Sequence, residues 1–241
     1  MEFEGNESWG YNPSFMMAPD KYYGPKNELK RLIDSCHSKG IAVILDIALN
    51  HSFGQNPMVQ MYFDQSAGQW GQPTAQSPWF NELPKHDFNV GYDYNHESAA
   101  TKYYAKKVIG HWVEEYKVDG YRFDLSKGFT QNNTLGNVNA WGQYDQGRIN
   151  IWTDYTNHLW SIDSTSIVIL EHFADNSEET VLSNKNMMLW GNANHQYSEA
   201  TMGYASNLGG VSHQSRSWTD VHLVGYMESH DEERLMYKTN N

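Results

Sequence analysis

Arg122 and Asp124 stand two residues apart in the stretch GYRFDLSKG (120–128), a spacing that admits proton-transfer or nucleophilic chemistry by a carboxylate. Side chains on a β-strand alternate faces, so Arg122 and Asp124 share one face while Tyr121, Phe123 and Leu125 share the other. A guanidinium beside a carboxylate stabilises its ionised form, the form that attacks an electrophilic carbon. Alone, the pair reads equally well as a structural ion pair at a strand end. Other polar residues close strand-like runs elsewhere: Asp46, Asn50 and His51 in IAVILDIALNH (41–51), Glu171 in SIVILEHF (166–173), and His230 with Asp231 in VHLVGYMESHD (221–231). Glu171 follows Val168, Ile169 and Leu170, where partial desolvation raises a carboxyl pKa and suits it to donate a proton.

The elements that must position these groups follow from periodicity. Leu29, Leu32, Ile33 and Cys36 recur at helical spacing in 26–40, with Gly40 as the stop. The run 41–51 is almost continuously apolar, as expected of a parallel strand buried on both faces. Residues 96–117 form an amphipathic helix with Tyr103, Val108, Ile109, Trp112, Val113 and Tyr116 on its apolar side, leading into a strand over 118–126. A helix around 147–162 precedes a strand at 166–173, and further strands are expected at 187–193 and 221–231. Strands alternating with helices make this an α/β protein with a parallel sheet, and such sheets and barrels build their sites at strand C-termini.

Residues 52–95 lack periodicity and are too long for an ordinary connection, so they read as an inserted subdomain. Trp70, Trp79 and Phe80 within it fit a small core better than a sugar-stacking role. The 241 residues carry a formal net charge of −12 without a dense basic cluster, which excludes nucleic acid as an expected partner. No apolar run is long enough to span a membrane, and the first ten residues lack the basic start and apolar stretch of a secretory signal. One cysteine leaves the compartment open. No Gly-rich phosphate loop and no HExxH are present, so neither an organic cofactor nor a zinc site is expected. Aromatic residues at 14% of the chain suit sugar faces as well as ordinary cores.

Taken together and in order, DIALNH, GYRFDLSKG, VILEHF and MESHDEE resemble the four sequence motifs of the α-amylase family of glycoside hydrolases and transglycosylases. WGYNPSF…YYG (9–24) resembles the segment near that family's second barrel strand. The resemblance implies an incomplete (β/α)8 TIM barrel of about strands 2–7, with residues 1–51 and 96–241 forming the partial barrel. Residues 52–95 would be the subdomain inserted after the third strand, and the C-terminal β domain would be absent. It implies Asp124 as nucleophile, Arg122 as the group that orients it, Glu171 as general acid/base and Asp231 as the third, transition-state-stabilising carboxylate. Tyr11, His51, Lys127 and His230 match sugar-contacting positions, Asp46 looks structural, and Asn50 resembles a calcium ligand, so calcium is the implied cofactor. Gly128 replaces a histidine common in the family, and Asp87 and Asp93 are the insert's candidate calcium carboxylates. The implied reaction is retaining hydrolysis of α-1,4-glucans (starch, glycogen, maltooligosaccharides) through a covalent glycosyl-enzyme, in which the two carboxyl groups lie roughly 5–5.5 Å apart. Ser229 before His230–Asp231 resembles branching enzymes, so branching-type transglycosylation is the alternative, and a fragment that only binds carbohydrate is a third reading.

Only 45 residues precede Asp46 and ten follow Asp231, too few for strands one and eight of a barrel. The expectation is an open sheet of about six strands whose unpaired edges support self-association.

Overall fold

The computed structural model describes residues 1–3, 5, 7–235 and 237. Helix α1 (Lys26–His37) leads into β1 (Ile44–Ile47), and α3 (Ala99–Tyr116) into β6 (Gly120–Phe123). Between β1 and α3 lie β2 (His51–Ser52), α2 (Pro57–Gln60), β3 (Phe63–Asp64), β4 (Gln72–Pro73) and β5 (Tyr92–Asp93). The chain continues with α4 (Val138–Trp141), α5 (Gln146–Ile162), β7 (Ile167–Leu170), α6 (Asn176–Ser183), β8 (Met188–Asn192), α7 (Asn194–Thr201) and β9 (Leu223–Tyr226).

Five strands form one all-parallel sheet in the order β1-β6-β7-β8-β9. Six were expected. Among the described residues, the segment assigned to a preceding strand makes an isolated bridge, Glu2 with Phe15, and β1 is a sheet edge. That corrects the reading of 41–51 as a strand buried on both faces: Ile44 and Leu45 are half-buried and Asp46 is exposed, because no sheet strand covers their outer side among the described residues. The run also breaks after Ile47, and His51–Ser52 pair antiparallel with Tyr92–Asp93 instead.

The register is what aligns the chemistry. Asp46 pairs with Arg122 across β1–β6, and Phe123 with Leu170 across β6–β7, so Asp124 and Glu171 leave adjacent strands at the same level. Close approach of β6 and β7 depends on Gly120, with φ 157° and no room for a Cβ, which would meet the Ile167 carbonyl oxygen at 2.1 Å.

The helices cover one side of the sheet with aromatic bulk. Val108, Ile109 and Trp112 of α3 and Ile149, Trp152, Tyr155 and Leu159 of α5 are buried with Tyr121 and Phe123 in a single core. Each helix begins on a side-chain cap, Ser98 accepting from Ala100 N–H and Asp145 from Arg148 N–H. The N-terminal segment is tied to α3 where the Trp112 indole donates to the Met16 carbonyl at 2.8 Å. In the 52–95 stretch, Phe80 stacks on Tyr94 and Trp79 packs against Tyr62, while Trp70 is 79% exposed. Among the described residues no helix is long and apolar enough to cross a membrane.

Candidate active site

Arg122 is the hub. It is 4% exposed, and its Nη1 donates to Asp46 Oδ1 and Asp124 Oδ1, both at 2.8 Å, while its Nη2 lies 2.9 Å from Glu171 Oε2. The indole of Trp190 covers its face, with the guanidinium carbon 3.9 Å from the ring centroid. Burial alone would lower the pKa of Arg122; the charges of Glu171, Asp46 and Asp124 outweigh it and raise it. One planar fork thus holds carboxylates from three adjacent strands, a geometry a point-charge ammonium cannot reproduce.

Asp124 and Glu171 meet this cation in different surroundings. Glu171 is buried, and burial pushes its carboxyl up to about 8 against the pull of Arg122. Its Oε2 accepts the Leu125 N–H at 2.8 Å. Near neutral pH, then, Glu171 holds a proton beside a neighbour bonded to a guanidinium, the division of labour needed between an acid and a nucleophile.

Tyr11 and His51 join the same rim. The Tyr11 hydroxyl donates to Asp46 Oδ2 at 2.9 Å, and its carbonyl accepts His51 Nε2–H at 2.7 Å. Burial lowers the pKa of His51, keeping the ring neutral. His230 stacks on Tyr11 with centroids 4.4 Å apart. Lys127, whose pKa burial lowers, donates to the Phe173 carbonyl at 3.0 Å and lies 4.1 Å over the Trp141 ring.

Asp231 stands apart. Its side chain is 59% exposed, 3.4 Å from His230 Nε2, and among the described residues it makes no hydrogen bond or ion pair with Asp124 or Glu171. It rides a loop beyond β9 that Glu232 pins by accepting from Ser229 N–H, the Tyr226 hydroxyl and Asn192. The structure thus gathers Tyr11, His51, Arg122, Asp124, Glu171 and His230 at one end of the sheet, with Asp231 at the rim.

Asn50 is fully buried, and neither its Oδ1 nor its Nδ2 has a hydrogen-bond partner. A Cβ on Gly128 would come 2.0 Å from Asn50 Oδ1 and 2.7 Å from His86 Nε2, so glycine there lets an amide and an imidazole converge. The His86 ring is stacked on Trp141 at 4.7 Å, and burial drops its pKa to about 4. Calcium takes six to eight oxygen donors, usually with carboxylates among them. Asp87 instead accepts the Gly136 N–H, and Asp93 accepts from Asn81 and the Lys85 N–H. Among the described residues no three His, Cys, Asp or Glu cluster in a way that could hold a metal. Asp93 Oδ1, buried like Asn50 Oδ1, also has no hydrogen-bond partner.

Trp190 and Trp141 lie against Arg122 and Lys127 and were not singled out by sequence reasoning, and Asp46, read as structural, bonds both Arg122 and Tyr11. An aromatic at the end of a strand already bearing site residues on its neighbours was the available signal for Trp190.

A parallel sheet that places a guanidinium-bound aspartate and a buried glutamate at adjacent strand C-termini puts the candidate site where α/β barrels build theirs. The family is shown by sequence: the model described as "Alpha amylase, catalytic domain" matches residues 4–241, and the chain belongs to the alpha-amylase family. Pullulanase of Bacillus subtilis (strain 168) is 31% identical over 130 residues, 49% of this chain and 17% of that protein. The 1,4-alpha-glucan branching enzyme GlgB of Shewanella frigidimarina (strain NCIMB 400) is 32% identical over 123 residues, 51% of this chain and 16% of that protein. The chain thus spans about a sixth of the length of these relatives. Among solved structures, Eubacterium rectale Amy13B superposes with TM-score 0.64 at 19% identity, covering 85% of this chain and 43% of that one. Pullulanase type I of Bacillus subtilis str. 168, complexed with maltose, gives 0.63 at 19%, covering 97% and 36%. The five-stranded sheet is accordingly a TIM-barrel fragment of this family.

Proposed function

We propose that the chain carries the catalytic carboxylates of a retaining α-1,4-glucan hydrolase, with Asp124 as nucleophile and Glu171 as acid/base. The observation that carries the reading is the single buried guanidinium of Arg122 touching both carboxylates, one of which burial keeps protonated. In the first step Asp124 attacks the anomeric carbon while Glu171 gives its proton to the departing glycosidic oxygen. In the second, Glu171 takes a proton from water, which displaces Asp124 with overall retention. Tyr11 and His230 present a stacked face to the sugar held there, Asp231 reaches it from the rim, and Lys127 lies on the leaving-group side.

Chromatography of amylose digests by the chain and its Asp124→Asn variant tests this. Short maltooligosaccharides from the native chain alone support it; equal release by both refutes it. Branching-type transfer is the second reading, favoured by the similarity to branching enzymes over 51% of the chain, and new α-1,6 linkages in the same digests would distinguish it. Glucan binding with no product from either protein would favour a carbohydrate-binding fragment.

A further inference from the structure

Behind the catalytic carboxylates lies a second polar cluster that no step above uses. Arg148, Glu178, His172 and Ser126 are all buried, the least of them by 99%. Glu178 accepts four hydrogen bonds: Arg148 Nε at 2.6 Å and His172 Nε2 at 2.7 Å on Oε1, Arg148 Nη2 at 2.7 Å and Asp145 N–H at 2.8 Å on Oε2. Arg148 spends its remaining donors on the carbonyls of Lys127, Trp141 and Gln143 at 3.0–3.2 Å. Burial lowers the His172 pKa to about 4, so the ring is neutral. Its Nε2–H goes to Glu178, leaving Nδ1 to accept from the Ser126 hydroxyl at 2.9 Å.

Ser126 is where this cluster meets the site. Its N–H donates to the Glu171 carbonyl at 3.0 Å, and its hydroxyl lies 2.8 Å from the same oxygen, so its one proton is shared between Glu171 and His172. The residue before it, Leu125, is held at φ 46°, ψ 42°, a left-handed conformation that costs a leucine about 1–2 kcal/mol. That conformation aims the Leu125 N–H at Glu171 Oε2. The strained turn after β6 thus grips Glu171 by both its main chain and its carboxylate.

We propose that the chain Arg148–Glu178–His172–Ser126 positions the acid/base, holding the Leu125–Ser126 turn against relaxation so that Glu171 keeps its place beside Asp124. The four are positioning residues: they are buried and reach no substrate. This rests on the hydrolase reading, and its test separates the two. A buried ion pair serving stability alone would have no need to extend through an imidazole to the turn that carries the Glu171 bonds.

The variants are Ser126→Ala, which removes the shared hydroxyl, and His172→Gln, whose amide can keep the bond to Glu178 while losing the acceptor for Ser126. Both are read by kcat and KM on maltooligosaccharides, by the alkaline limb of the pH–rate profile, and by a 13C NMR titration of the Glu171 carboxyl, which needs no turnover. The expected result is a fall in kcat of about 10- to 100-fold, the scale of a misplacement near 1 Å. KM should stay near the wild-type value. The Glu171 titration should move to higher pH, because the lost N–H bond favours the carboxylate form. Folded variants in which melting temperature falls but the Glu171 titration and pH profile stay put would overturn the proposal. A native chain with no turnover would count against the hydrolase reading, while the titration would still decide the role of the cluster.

Discussion

Replacing Glu171 with glutamine should make the chain's relative stability strongly pH-dependent. Burial lifts the Glu171 carboxyl from its ordinary 4.5 to about 8 in the folded chain. Between those values the folded state holds a proton the unfolded state has released, so stability is full below about 4.5 and is lost as pH rises through about 8. At 1.36 kcal/mol per pH unit, that interval corresponds to roughly 3–5 kcal/mol. The amide has nearly the same shape, accepts the Leu125 N–H and never ionises, so the variant escapes the loss. Any constant offset from the substitution cancels when the two proteins are compared at two pH values. The stability difference, variant minus wild type, should therefore grow by roughly 3–5 kcal/mol between about pH 5 and about pH 9. For a chain of this size each kcal/mol moves Tm by about 2–4 °C. Urea denaturation of both proteins at the two pH values measures it. An equal difference at both would show that Glu171 is not buried in its charged form at a cost, and the assignment of its protonated role would fail with it.

Three further outcomes follow from the same geometry. Gly128→Ala should destabilise the fold by about 1–3 kcal/mol in urea, because a Cβ would sit 2.0 Å from Asn50 Oδ1 and 2.7 Å from His86 Nε2. An unchanged midpoint would mean that the amide and imidazole are not packed against that backbone. Chelation should leave Tm unmoved and added calcium should not raise it, since His86 rather than a carboxylate converges with Asn50 on Gly128; a calcium-dependent rise in Tm would contradict this. Among the described residues the edge strands β1 and β9 each pair on one side, so light scattering should find species above monomer mass, and a clean monomer across a tenfold concentration range would refute that.

Much of the site was legible because its signals are local. Arg122 and Asp124 fall on one face by strand alternation alone, and the apolar approach Val168–Leu170 foretold the desolvation that raises Glu171. The helix over 99–116 follows from its apolar periodicity, and a helix around 147–162 was expected where one runs over 146–162. What was not legible depends on partners distant in sequence. The run 41–51 looks buried on both faces because its residues are apolar, yet among the described residues of the N-terminal segment there is a bridge, Glu2 with Phe15, and no strand of the main sheet on its outer side. Trp190 covers Arg122 only because β8 lies beyond β7, a fact of sheet order. His86 meeting Asn50 across Gly128 joins residues from three loops, and nothing in the spacing of any one of them announces it. The His172–Glu178 pair joins the end of the strand read at 166–173 to the helix Asn176–Ser183, which the sequence reading did not single out.

The most direct test of the account is covalent trapping. The chain is incubated with a fluorinated α-glucosyl fluoride that forms the glycosyl-enzyme but turns it over slowly, digested, and mapped by mass spectrometry. The account predicts one glycosyl adduct, on Asp124, absent from Asp124→Asn and longer-lived in Glu171→Gln, which lacks the base that activates water. An adduct on Glu171 or Asp231, or glucan turnover by the native chain with inversion and no adduct, would contradict it.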